Sequence, residues 1–287
     1  MTGNKKYSEL TIIFDNKNYE QICNTLYLFN VKNILEENST FKIYFSEQES
    51  NKILKIKTSL LSGSVLKSKN ISVKQFADKD WTKEWKNTIQ PVFVQDKIII
   101  YPSWKRKEVK KYKDRILIEL DPKMSFGTGH NETTILVISM MCDYLTREDK
   151  RMLDYGSGTG MLSIAGIKLG LKEAVAIDTD EDSIRDSGEY IRRNGLKNKI
   201  KIYKKNISEI KESEFDVICA NIILSVISDN INFIFQKTKP SGKIFLSGIL
   251  KTEENKIKKV LQKNSFKISD IKNSAEWIGN YAKKNES

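Results

Sequence analysis

Apolar positions along this chain follow two different periods, and the places where the period changes divide it into elements. Over residues 8–14 they alternate, as in a strand buried on one face. Residues 18–37 instead carry Ile22, Leu26, Phe29 and Leu35 at helical spacings. Alternation returns over residues 41–45, a helical pattern follows over 52–67 with Gly63 weakening its end, and residues 71–76 read as a third strand. Residues 1–77 are therefore predicted to form a small ferredoxin-like layer of strands and helices. No paired acids, glycine loop or histidine falls within them, so their expected task is binding or positioning.

Residues 78–120 are expected to be a linker with connecting strands. A short helix over 80–86 sets Trp81 and Trp85 four positions apart, hence on one face. With Trp104, they are expected to be packing anchors between two domains. From Asp121 onward the apolar runs become longer: a helix over 135–145, a strand start at Met152 and Leu153, a helix over 161–170, and buried strands over 174–177 and 215–220. Continuous short apolar runs separated by helices suit an α/β domain with a parallel sheet, here residues 121–287.

Candidate chemistry gathers where those strands end. The strand at Met152 runs into Asp154, followed by glycines at alternate positions, Gly156, Gly158 and Gly160, and then a helix. Glycines let the backbone approach a nucleotide-like ligand with no Cβ in the way. Their G-x-G-x-G spacing departs from the G-x-G-x-x-G of dinucleotide binders. It resembles the S-adenosylmethionine turn of Rossmann-like methyltransferases, which favours methyl transfer over redox chemistry.

Asp178 follows the next strand, close to the roughly 20 residues at which an acid meets ribose hydroxyls in such folds. It also has a blander reading as a helix cap, a task that suits Asp180 better. Asn221 ends a later strand, as a ligand contact or a turn residue. Upstream, Phe126-Gly-Thr-Gly129 offers a flexible flap, with Thr133 and Thr134 in the first turn of the following helix. Asn131 or Thr133 serving only as its cap is the simpler alternative.

Composition narrows the field. The chain has 287 residues, 39% hydrophobic and 30% charged, enough for a large domain beside a smaller one. No apolar run approaches the ~18 to 20 residues of a membrane span, and the amino terminus lacks the apolar core of a signal peptide. Cys23, Cys142 and Cys219 are odd in number and form no C-x-x-C pair, which points to a reducing cytoplasm and no metal site. His130 is the only histidine, so two-histidine metal chemistry is excluded.

The net charge of +12 comes from 42 lysines and 7 arginines. Arginine is the usual reader of phosphate and guanine, so the charge alone does not indicate a nucleic-acid reader. The densest basic stretch, residues 105–113, reads as a solvated loop or as a weak contact for ribosomal RNA.

Taken together, Asp80-Trp-x-x-x-Trp, Pro102-Ser-Trp, Asp121-Pro-x-Met-x-Phe-Gly-Thr-Gly and Asp154-x-Gly-x-Gly-x-Gly resemble the PrmA family of bacterial ribosomal protein methyltransferases. Ala220-Asn-Ile-Ile, Leu246-Ser-Gly-Ile-Leu and Glu276-Trp277 fit the same pattern in order. The resemblance runs from about Lys79 to the end of the chain, and the first domain matches in size and element order more than in motif. Ser157 stands where many relatives carry cysteine, and Asn131 precedes Glu-Thr-Thr where the family often has histidine.

The resemblance implies a Rossmann-like class I methyltransferase domain behind a small ferredoxin-like domain that recognises a large-subunit ribosomal protein. It implies S-adenosyl-L-methionine as methyl donor and Thr134, Gly156, Asp178 and Asn221 as its contacts. Asp154, Gly158 and Gly160 join them from the glycine turn. For the chemistry, Asn221 is expected to orient the amine, Phe126 to exclude water, and His130 to take a proton. Nothing in the sequence calls for a dimer. An RNA or small-molecule methyltransferase is the nearest alternative, although Asn221-Ile-Ile-Leu lacks the prolines of nucleobase-amine enzymes. A non-catalytic ribosome- or RNA-binding protein is the alternative from another class.

Overall fold

The computed structural model describes residues 6–15, 17–29, 31, 34–37, 39–46, 49–62, 66–77, 86, 88–121 and 132–286. The chain divides between Ile89 and Gln90 into two compact units.

In the first unit, β1 (Lys6–Ile13) leads to α1 (Tyr19–Leu28), β2 (Ile34–Glu37), β3 (Thr40–Ser46), α2 (Ser50–Ser62) and β4 (Ile71–Ala77). The strands form one antiparallel sheet in the order β2-β3-β1-β4, the β-α-β-β-α-β arrangement of a split βαβ layer. Alternation sends Leu10, Ile12, Phe41, Ile43 and Phe45 to one face, where Ile22, Leu26, Ile53, Ile56 and Leu60 of the two helices cover them.

The sequence pattern placed one helix over 18–37, but α1 stops at Leu28 and the chain resumes as β2. Leu35, counted there as a helical position, pairs with Lys42 of β3. As an edge strand exposed along its whole length, β2 carries no alternation for a pattern to detect. Trp81 and Trp85 lie outside the described residues.

The second unit begins with β5 (Val92–Val94), β6 (Ile98–Tyr101), α3 (Arg106–Val109) and β7 (Ile116–Glu119), whose strands make a small sheet of their own. Val94, Ile98, Ile100, Ile118 and Leu120 pack into the same core as the following helices. Residues 90–120, expected as a connector, therefore share the second unit's core. Asp121 anchors the end of this region, accepting from the Ser103 amide at 2.6 Å and pairing with Arg193. Its carboxyl is held below the usual aspartate range, because the bonds from Ser103 and Arg193 outweigh the effect of burial.

The main sheet follows: α4 (Glu132–Tyr144), β8 (Arg151–Tyr155), α5 (Met161–Lys168), β9 (Glu173–Asp178), α6 (Glu181–Arg193), β10 (Ile200–Lys204), β11 (Phe215–Asn221), α7 (Leu224–Lys237), β12 (Thr238–Leu250), α8 (Glu254–Lys263), β13 (Phe266–Ser274) and β14 (Trp277–Lys284). Its seven strands run in the order β10-β9-β8-β11-β12-β14-β13, parallel except where β14 is inserted antiparallel between β12 and β13. Successive strands first build outward from β8 to β10, and the chain then returns to place β11 on the other side of β8. Such a reversal opens a crevice at the carboxyl ends of the central strands. Both faces of the sheet are covered, by α4, α5 and α6 on one side and by α7 and α8 on the other, so the central strands are mostly apolar.

The helix after β9 shows how local chemistry fixes the crevice wall. Asp180 is the N-cap of α6, and its carboxylate accepts from the Ser183 amide at 2.9 Å and the Ser183 hydroxyl at 3.0 Å. Asp180→Ala is expected to cost about 1 kcal/mol of stability, read as a lower urea midpoint at unchanged slope.

Candidate functional site

At the carboxyl end of β8 the chain turns through Gly156-Ser-Gly-Thr-Gly160 into α5. The three glycines have φ of +72°, +53° and +74°, the left-handed region that side chains disfavour. The turn folds over the neighbouring strand: the amides of Gly156 and Ser157 donate to the carbonyl of Ile177 at 3.0 and 2.9 Å. Gly158 donates its amide to Asp178 Oδ2 at 2.8 Å, and Asp178 Oδ1 accepts from the Asp180 amide at 3.0 Å. Asp178 is thus half-buried at the strand end and tied to the glycine turn, while the cap of α6 falls to Asp180.

Asp154 lies beneath this turn, wholly buried. Its Oδ2 accepts from the amide and hydroxyl of Ser163 in α5, at 2.9 and 2.8 Å. Its Oδ1 has no partner among the described residues. Burial pushes its carboxyl up to about 6, partly offset by the Ser163 bonds and reinforced by the negative charge of Asp178. In this geometry Asp154 holds the first turn of α5 beneath the glycines. Ser163, which fixes it, went unnoticed in the sequence because a serine inside an apolar helix gives no signal of its partner.

Two further residues meet across the crevice. Asn221 ends β11, and its side-chain Nδ2 donates to Thr134 Oγ1 of α4 at 3.1 Å. They are 87 positions apart in the chain, and Thr134 is buried in the first turn of its helix. Phe126 and His130, together with Asn131, lie outside the described residues. Among the described residues, no group of three or more His, Cys, Asp or Glu could hold a metal ion.

Ile222 links the two halves of this arrangement. A Cβ built on Gly156 would come within 2.5 Å of Ile222 Cγ2. On its other side, a Cβ on Gly248 would fall 2.7 Å from the Ile222 carbonyl oxygen and 2.9 Å from its backbone nitrogen and carbon. Gly248, with φ of +79°, sits at an irregularity of β12 between Leu246 and Ile249. The Ile222 amide donates to the Ser247 carbonyl at 3.1 Å. One isoleucine is thus wedged between two glycines, immediately after Asn221. The available sequence signal was a glycine inside a strand, which marks a bulge or a close approach of backbone.

The family model for ribosomal protein L11 methyltransferase (PrmA) matches residues 6–285. The chain belongs to the PrmA family. A ribosomal protein L11 methyltransferase of Brevibacillus brevis is 35% identical over 215 residues, 75% of this chain and 68% of that protein. One from Ruminiclostridium cellulolyticum is 33% identical over 253 residues, covering 85% of this chain and 78% of its own length. The crystal structure of a ribosomal protein L11 methylase from Lactobacillus delbrueckii subsp. bulgaricus superposes with a TM-score of 0.64 at 28% identity, over 69% of this chain and all of that one. The PrmA match begins at Lys6 and so takes in the amino-terminal unit, beyond the stretch that the sequence motifs covered.

Two expectations follow for this PrmA chain. Gly248→Ala forces a Cβ onto the Ile222 backbone in a conformation that only glycine adopts easily; it is expected to destabilise the protein by about 2 kcal/mol or more and lower its melting temperature. Asp154→Asn removes a pH dependence. In the folded wild type this carboxyl stays protonated above its ordinary value of 3.8, up to about 6. Its stabilising share is therefore complete below 3.8 and lost as pH rises through about 6. Relative to Asp154→Asn, the wild type should lose about 3 kcal/mol across that window, measured by urea unfolding at a series of pH values.

Proposed function

We propose that this chain transfers methyl groups from S-adenosylmethionine to amines of ribosomal protein L11, at lysine side chains or the α-amine. The observation that carries the reading is the glycine turn tied to Asp178 beside the Asn221–Thr134 pair, in a chain of the PrmA family.

The residues present fit the methyl donor. The turn has a Cβ-free backbone, and a carboxylate offers about four acceptor positions, of which Asp178 uses two on the amides of Gly158 and Asp180. Its remaining capacity suits ribose hydroxyls. Gly156, Gly158 and Gly160 would line the donor, Thr134 and Asn221 would face it across the crevice, and Asp154 would support the turn from below. When bound, S-adenosylmethionine supplies a methyl group already activated on a sulfonium.

What remains for the protein is alignment and a neutral nucleophile. An ammonium has no lone pair, so the target amine must lose a proton first. A site that excludes water lowers the amine's pKa and assists that loss. With Nδ2 committed to the Thr134 hydroxyl, Asn221 keeps its side-chain oxygen to accept a hydrogen bond from the amine and hold its lone pair in line. Phe126 walls the site from water, and His130 takes the proton. The amino-terminal unit recognises the ribosomal protein. The enzyme acts in the cytoplasm as a monomer, and the exposed Lys107, Lys110, Lys111 and Lys113 give ribosomal RNA a weak contact.

The test is label transfer from methyl-tritiated S-adenosylmethionine into unmethylated ribosomal extract, resolved into proteins and RNA. Label is expected in one small large-subunit protein. Asp178→Ala should weaken donor binding roughly 10- to 100-fold, because it removes acceptors for charge-assisted hydrogen bonds and frees Gly158. Asn221→Ala should slow transfer far more than it weakens donor binding. Label in RNA would overturn the substrate. Failure to bind S-adenosylmethionine at all would favour a non-catalytic binding protein.

A further inference from the structure

Residues 105–115 hold five lysines and two arginines against two acids, a composition that reads as a solvated loop in the sequence. The structure gives this segment a fixed support. α3 and the turn after it lie on the outer face of the small sheet, where Val109 and Tyr112 pack with Ile99, Tyr101 and Leu117. The Tyr112 amide donates to the Val109 carbonyl at 3.0 Å, closing that turn. Phe93 of β5, paired with Ile99 of β6, stays 51% exposed beside it.

One exposed aromatic side chain needs no explanation by itself. Its neighbours supply one here. Phe93 meets Tyr112 in a T-shaped pair, ring centroids 5.5 Å apart and planes at 78°. Rings in that arrangement are not stacked flat, so Phe93 keeps at least one face free of Tyr112. Lys111 places its Nζ 5.1 Å from the centre of the Tyr112 ring, so a cation and the aromatic pair share one surface. The acids nearby are already matched: Glu108 pairs with Lys105, Glu119 with Arg106 and Asp96 with Arg115. Lys107, Lys110 and Lys113 are exposed and form no ion pair among the described residues, with Asp114 left to offset them. Helical backbone from Arg106 through Lys110 sets Lys107 and Lys110 three positions apart, on one side of the turn.

We infer that Phe93 and Tyr112, flanked by Lys107, Lys110, Lys111 and Lys113, form a stacking site for a base in a single-stranded segment of ribosomal RNA. This rests on the ribosomal RNA contact proposed above, and adds base stacking to what charge alone supplies. The excess of cations calls for an anion, and the open ring face calls for a flat apolar partner. An unpaired nucleotide carries both. An acidic protein segment supplies the charge without the flat ring, and a duplex keeps its base faces stacked on one another. Lysines in place of arginines suit contact with the phosphate backbone, with no reading of base sequence.

The test is fluorescence anisotropy of a labelled oligouridylate with the full-length protein over a salt series. Its control is an abasic oligomer of equal length, which keeps the phosphates and lacks the bases. The wild type is expected to bind the oligouridylate roughly 10-fold more tightly than the abasic oligomer, the scale of one base stacked on an aromatic ring. Phe93→Ser should lose about that factor at an unchanged salt slope and melting temperature, and Phe93→Trp should retain the binding. Lys107→Gln combined with Lys110→Gln should instead flatten the slope of log affinity against log salt by about 0.7 per lysine. Equal affinity for the abasic oligomer, or unchanged binding by Phe93→Ser, would overturn the stacking site and leave the charge contact alone. Equally tight binding of polyglutamate would overturn it in favour of a general anion surface. An absence of RNA binding at physiological salt would remove both contacts. Methyl transfer to free L11 should be the same in all these variants, so the proposed activity stands or falls on its own measurement.

Discussion

The arrangement at the carboxyl edge depends on the close approach of two glycines to one isoleucine. Gly156 on one side and Gly248 on the other approach Ile222 at distances that exclude a Cβ. A glycine turn is usually explained by the ligand it admits, and here one of its glycines also admits a neighbouring side chain. Because packed interiors deform little, a residue held on two sides has few alternative positions. Asn221 directly precedes that residue, so the place of its amide is set by packing as much as by its hydrogen bond to Thr134. The glycine turn and the end of β11 are coupled through one residue, Ile222.

The acids of the site divide their work by burial. Asp178 is half-buried at the strand end and spends one oxygen on the turn and the other on the start of α6. Asp154 is wholly buried, with one oxygen satisfied by Ser163 and the other without a partner among the described residues, and the cost of charging it there raises its pKa. Two carboxylates a strand apart thus differ in character because one side chain is sealed under the turn and the other is not. Sequence spacing singles out Asp178 but does not say which of the two acids is buried.

The small sheet of β5, β6 and β7 shows how a connector becomes part of a core. Its inward residues are isoleucines, valine and leucine in runs too short to declare a domain, and they share the apolar cluster of α4, α5 and α6. Asp121, at the end of this segment, is pinned by Ser103 and Arg193, so the chain leaves for residues 122–131 from a fixed point. The same tertiary logic produced β2. An exposed edge strand has no buried face, and only its pairing with β3 reveals it.

The sequence by itself determined the parts whose cause is local. Apolar runs of strand length, the left-handed glycines and the acid about 20 residues on predicted the α/β domain, the turn and Asp178. Quoted motifs predicted the family, because many short patterns in one order are hard to meet by chance. Only the tertiary structure decided which of those residues face one another. It joined Thr134 to Asn221 across 87 positions, buried Asp154 while leaving Asp178 at the edge, and made Ile222 and Gly248 a single contact. The physical reason is that burial and close approach are properties of pairs of segments. A periodicity or a spacing describes one segment, and cannot contain the neighbour that fixes its role.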